Sequence, residues 1–230
     1  MIDLLAIVKL ILTRAGARCP SVRLRQVQAT LNYLKLGRWM RDHDFDCPRL
    51  ISRESVFDQV ADSVEHQHVL YLEFGVYEGH ATRYWSQRLK HPETRLHGFD
   101  SFEGLPDAWG PHKKGHFATG GQVPTIDDPR VQFFKGWFEQ TLPNYVVLPH
   151  KVLVLLMDAD LYSSTITVLR YLRPHIRKGT FIYFDEMHEM EHEPRAFDEF
   201  ARESGLTFRA VAADRTLAHV FFECCGPREP

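Results

Sequence analysis

The sequence predicts a doubly wound α/β fold. It would have a seven-stranded, mostly parallel sheet with an antiparallel C-terminal strand, plus an N-terminal helical extension. Three observations lead there. From residue 68 onward, short apolar runs alternate with segments of helical periodicity, as βαβ units require. Val152 to Met157 is apolar throughout, the pattern of a strand covered on both faces. Four of the first five expected strands end in carboxylates, at the edge of the sheet where open α/β folds bind ligands.

The first 60 residues read as helices. Ile2, Leu5, Val8 and Leu12 share one stripe, Leu24, Val27, Leu31 and Leu34 another, with Gly16 and Pro20 as breaks. Gly37 and Pro48 bound a segment holding Trp39, Met40 and Phe45, and a further helix fits 54–65, with Val56, Val60 and Val64 inward. Strand one spans 69–74 and the first core helix 81–90. Strand two covers 95–99, strand three 131–134, strand four 152–157 and strand five 180–184. Helices fit 137–142, 165–172 and 195–204, the last stopped by Gly205. Two closing strands, 206–212 and 217–223, flank a turn. The domain reading is a helical extension over 1–60, serving as lid or oligomerisation element, and an α/β domain over 61–230.

At 230 residues and a net charge of −2, the chain suits one domain with an extension and implies no nucleic-acid footprint. Cys19, Cys47, Cys224 and Cys225 form no Cys-x-x-Cys pair, so a zinc site is not expected and a reduced, cytoplasmic protein is. The apolar run at residues 2–12 contains Asp3 and Lys9 and is too short to span a bilayer. It reads as an amphipathic helix on a partner subunit or on the domain, which favours a homodimer or higher homo-oligomer. Peripheral membrane contact is the alternative, without stable insertion.

The stretch Glu73-x-Gly75-x-x-x-Gly79 closes strand one and opens a helix. Its glycines let a ligand approach the backbone, and the helix start offers free N–H groups. The spacing is not the Gly-x-Gly-x-x-Gly of dinucleotide enzymes; it is typical of S-adenosylmethionine sites, where Glu73 could accept from the ligand's ammonium group. Asp100, at the end of strand two, is placed to bind ribose hydroxyls. Asp158, Asp185 and Glu186, from neighbouring strand ends, form a hard oxygen set suited to Mg²⁺, with Asp160 either a fourth ligand or a cap. His188 follows that pair and is a candidate general base. His188-Glu189-Met190-Glu191-His192 matches the zinc-protease string, but Pro194 follows and no long helix is expected to carry it. The loop from Gly104 to Pro129 exceeds an ordinary connection and suits a lid.

Four strings occur in order: Glu73 to Gly79, Gly98-Phe99-Asp100-Ser101-Phe102-Glu103-Gly104-Leu105-Pro106, Lys135-Gly136-Trp137-Phe138 with Thr141-Leu142-Pro143, and Met157-Asp158-Ala159-Asp160-Leu161-Tyr162-Ser163-Ser164-Thr165. Over residues 50 to 223 they resemble the macrocin O-methyltransferase family, which methylates hydroxyls of antibiotic sugars and related glycosides. The resemblance implies a Rossmann-like class I S-adenosylmethionine-dependent methyltransferase fold with Mg²⁺-dependent O-methyl transfer to a small-molecule hydroxyl. It implies that Asp158, Asp185 and Glu186 hold the metal. It also implies that Glu73, Gly75, Tyr77, Gly79, Asp100, Ser101 and Asp158 hold the cofactor, with Gly136 and Trp137 near the adenine. Asp158 would be the ligand that also acts as base, with His188 as the alternative base. Where family members often have Asp-Asp, this chain has Asp185-Glu186. The competing readings are a methyltransferase acting on a phenol, lipid or amine, and a nucleotide-binding module without catalysis.

Overall fold

The computed structural model describes residues 4–228 and divides the chain into two compact units, Met1–Asp44 and Phe45–Pro230. Ile2 and Asp3 of the expected N-terminal stripe lie outside the described residues.

The first unit is two helices, α1 (Leu4–Arg18) and α2 (Ser21–Asp42). Pro20 separates them. It lacks an N–H to continue α1, yet its carbonyl accepts from Arg23 and Leu24 at the start of α2. The two expected glycine breaks are absent. Gly16 lies inside α1 and Gly37 inside α2, each a local cost of about 1 kcal/mol that a long helix absorbs. Both apolar stripes are exposed where described, and α1 buries no residue. No described helix is long and apolar enough to cross a membrane.

The second unit holds an eight-stranded sheet in the order β1-β7-β8-β6-β5-β2-β3-β4. The strands are β1 (Arg49–Leu50), β2 (Val69–Phe74), β3 (Arg95–Asp100), β4 (Val131–Lys135), β5 (Val152–Met157), β6 (Phe181–Phe184), β7 (Leu206–Asp214) and β8 (Val220–Pro227). The eighth strand, one more than expected, is β1, whose two residues pair in parallel with Ala213 and Asp214 of β7. Only β8 runs antiparallel, slotted between β6 and β7.

Helices α3 (Arg53–Val64) and α4 (His80–Arg88) cover one face. There Val56, Phe57 and Val60 meet Trp85, Tyr71, Val154, Tyr183 and Phe221 in a closed core. Helices α6 (Tyr162–Leu172) and α7 (Glu193–Ser204) serve the other face, where Phe197 of α7 packs on Phe184 and Phe222. The short α5 (Phe138–Thr141) sets Phe138 edge-on against Phe74. The winding reverses between β2 and β5, which pair in parallel from Val69–Val152 to Phe74–Met157. The loops that leave their carboxyl ends run to opposite sides of that switch point, and a crevice lies outside them.

Candidate active site

The crevice is a cavity of about 580 Å³. Nine of the residues expected to act line it: Gly75, Tyr77, Asp100, Ser101, Gly136, Trp137, Asp158, Asp185 and Glu186. Glu73, Gly79 and His188 do not.

The glycine corner forms one end. Gly75 has φ 95° and lies so close to the β5 end that an added Cβ would collide with the carbonyl oxygen of Asp158. Gly79, at φ 76°, is the N-cap of α4. Asp100 shapes this corner from β3. One carboxylate oxygen accepts from the amides of Val76 and Tyr77 at 2.8 and 2.9 Å, and the other accepts from Phe102 N–H at 2.7 Å. Asp100 therefore first holds the turn, and it also lines the cavity. Glu73 is turned away from the cavity and 1% exposed. Tyr71 and Thr82 both donate to its carboxyl, and burial pushes its pKa up to about 8. A group so enclosed braces β2 against α4; it is not arranged to meet a ligand's ammonium group.

The long loop folds back over the same end. Leu105 N–H donates to the His116 carbonyl, and Gly104, at φ 79°, has no room for a Cβ beside that carbonyl. Phe117 then meets Tyr77 edge-on at 5.9 Å, and Trp109 and Leu105 line the cavity beside it.

The acidic end gathers Asp158 and Asp160 after β5, and Asp185 and Glu186 after β6. Its positive charge comes from a residue the sequence reading passed over. Arg53, the first residue of α3, donates from Nη2 to Asp158 Oδ2 at 2.7 Å, and its Nε lies 3.0 Å from Asp185 Oδ1. Tyr183 donates to Asp185 Oδ1, and His219 Nδ1 lies 3.1 Å from the same oxygen. Burial alone would raise Asp185, but His219, Arg53 and Tyr183 outweigh it and hold its pKa below the usual carboxylate value. Asp158 goes the other way: burial and then the charge of Asp185 push it up to about 7, despite Arg53. Asp160 and Glu186 are each pushed up to about 8, by burial first and then by neighbouring carboxylates.

His188 sits behind Glu186, its Nδ1 3.4 Å from Glu186 Oε2, with its pKa lowered by burial. The segment from His188 to His192 is a run of turns and the helix begins only at Glu193, so the His-Glu-x-x-His string lacks its helix. Glu193 is fully buried and accepts from the Glu186 N–H at 2.8 Å, which fixes the loop after β6. Arg53, Tyr183 and His219 left little trace in sequence. The only signal was that four clustered carboxylates need a cation.

Comparison with known proteins finds O-methyltransferases. The macrocin-O-methyltransferase (TylF) family matches residues 122–222. A demethyldecarbamoylnovobiocin O-methyltransferase of Streptomyces niveus is 32% identical over 88 residues, 38% of this chain and 33% of that protein. A mycinamicin III 3''-O-methyltransferase of Micromonospora griseorubida is 28% identical over 54% of this chain and 45% of that one. The matched segments thus span a third to about half the length of these curated relatives. The solved structure of the O-methyltransferase NovP superposes with a TM-score of 0.55 at 24% identity, covering 76% of this chain and 78% of that one. A putative O-methyltransferase from Klebsiella pneumoniae covers 97% of both chains with a TM-score of 0.50 at 15% identity. The chain has the fold of a class I S-adenosylmethionine-dependent O-methyltransferase and, over residues 122–222, is similar to the macrocin O-methyltransferases.

Proposed function

We propose that this protein is an S-adenosylmethionine-dependent O-methyltransferase whose acceptor is a hydroxyl of a sugar, glycoside or related natural product. The observation that carries this reading is one cavity with two unlike ends, a glycine corner roofed by aromatic side chains and a cluster of carboxylates.

The first end fits the cofactor. Gly75 lets the ends of β2 and β5 approach closely at the floor of the corner, and Tyr77, Trp137 and Phe117 supply flat walls. Asp100, Ser101 and Gly136 frame it, and Asp158 borders both ends. When bound, S-adenosylmethionine supplies an electrophilic methyl group. Asp160 and Glu186, neutral at pH 7 because burial raises them to about 8, can donate hydrogen bonds to sugar oxygens and orient the acceptor. Asp158 takes the hydroxyl proton at Oδ1, its Oδ2 being held by Arg53. Burial and the charge of Asp185 raise its pKa above the ordinary carboxylate value, which makes it a stronger base. His188, outside the cavity lining, is the less apt base.

The magnesium centre expected at Asp158, Asp185 and Glu186 does not fit these side chains as arranged. Arg53 already holds Asp158 Oδ2 and Asp185 Oδ1 and sets its own positive charge between the two carboxylates a divalent ion would have to share. Among the described residues no group of three or more His, Cys, Asp or Glu side chains is disposed around a metal position. Arg53 supplies the local positive charge.

Calorimetric titration with S-adenosylmethionine, followed by methyl transfer to a glycoside panel, tests the proposal. Both are run with magnesium and with a chelator. Binding and transfer in both buffers are expected. Absence of binding from a folded sample would remove the methyltransferase reading, and transfer that stops with the chelator would overturn the assignment to Arg53.

A further inference from the structure

The two N-terminal helices, taken by themselves, carry a charge pattern the methyl-transfer reading does not use. Residues 4–42 contain eight Lys and Arg and a single carboxylate, Asp42, while residues 43–230 hold 20 basic and 28 acidic side chains. The cations sit on both helices, among them Lys9, Arg14 and Arg18 on α1 and Arg23 and Arg25 on α2. Large apolar side chains stand exposed between them. On α1, Leu4 is 74% exposed, Ile11 59% and Leu12 65%; on α2, Val27 is 58% and Leu34 68% exposed.

Exposed leucine and isoleucine interleaved with positive charge suit contact with an anionic membrane interface. The apolar side chains enter the acyl boundary, and the lysines and arginines meet anionic headgroups. Neither helix is long and apolar enough to span a bilayer, so the contact is interfacial. A second copy docking through the same faces would set each cluster of cations against its duplicate, a repulsion that anionic lipid replaces with attraction. We propose that α1 and α2 form a docking surface for an anionic lipid membrane. The inference is independent of the methyl-transfer reading.

The test is flotation of the full-length chain with vesicles of phosphatidylcholine alone, or of phosphatidylcholine mixed with phosphatidylglycerol. Recovery with the anionic vesicles should exceed recovery with neutral ones by about tenfold and fall with added salt. Two variants separate the contributions. Lys9→Gln with Arg14→Gln and Arg18→Gln should cut anionic-vesicle recovery about tenfold, and Ile11→Ser with Leu12→Ser should cut recovery while leaving the salt dependence. Thermal unfolding of the same samples confirms that each variant is folded, and calorimetry with S-adenosylmethionine reports the other site separately. Equal recovery with both vesicle types, or none with either, overturns the proposal. So does a charge-neutralised variant that floats like the parent, or helices found instead in a stable dimer or on nucleic acid that vesicles do not displace.

Discussion

Arg53 and Asp158, 105 positions apart in sequence, meet at 2.7 Å, and the same guanidinium reaches Asp185 at 3.0 Å. One cation at the start of α3 thereby bridges the ends of β5 and β6. With Arg53 removed, Asp158 and Asp185 would face each other with no cation between them. The pair is about a quarter exposed, so solvent tempers the loss. Arg53→Met should cost about 1–3 kcal/mol of stability. It should also slow methyl transfer by roughly a hundredfold or more, with a small change in cofactor affinity. Arg53→Lys should recover only part of the rate, because an ammonium group cannot bridge two carboxylates as a planar fork does. A methionine variant with the parent's rate would show the bridge to be structural only.

Asp158→Asn keeps the shape of the site and removes the proton acceptor. Turnover should become undetectable while calorimetry still shows cofactor binding. Equal loss of both would place Asp158 in cofactor binding or folding.

Gly75→Ala puts a methyl group where the Asp158 carbonyl oxygen already stands, at a backbone angle of φ 95° that side chains resist. The β2 and β5 ends must separate to admit it. The expected result is at least about 2 kcal/mol lower stability by denaturant unfolding and loss of cofactor binding. Wild-type affinity would mean that the β2 and β5 ends can shift without disturbing the cofactor corner.

His97 on β3 gives a pH signature remote from the reaction. It is 4% exposed, hydrogen-bonded to the Tyr145 hydroxyl at 2.8 Å, and burial lowers its pKa to about 4. The unfolded chain takes up this proton near pH 6.5 and the folded chain only near 4. The stability His97 contributes is therefore complete above pH 6.5 and lost as pH falls to about 4, to a ceiling of about 3 kcal/mol. Urea unfolding of the parent and His97→Gln across that range should show the parent's relative stability falling with pH. A constant difference would mean that His97 titrates normally.

Local pattern was enough for the strands that build the crevice. Val69–Phe74 and Val152–Met157 appear at their expected limits because the second is an unbroken apolar run, the first is broken only by Glu73, and polar residues flank both. The two-residue β1 is too short to have a pattern and exists only through its pairing with β7. Gly37 looked like a helix end because a glycine's local cost is visible in sequence, whereas the rest of α2 that outweighs it is spread over a 22-residue helix. In the site, carboxylates at strand ends could be read in order along the chain. Their partners could not: Arg53 precedes β2 on a helix, and His219 lies 34 positions beyond Asp185. Glu73 shows the opposite limit. Its place in the motif was legible, but the Tyr71 and Thr82 hydroxyls that turn it inward depend on how α4 packs against β2.

The antiparallel β8 has a consequence for the order of assembly. His219, the residue before its first position, reaches the acidic end only when β8 has slid between β6 and β7. A folding chain that has paired β2, β5 and β6 but not yet received β8 would carry Asp185 without its imidazole partner and Tyr183 without the neighbouring Phe221 ring. Closure of the sheet and completion of the acidic end thus go together, and a partly threaded chain would be charged and wet where the finished one has its carboxylates paired.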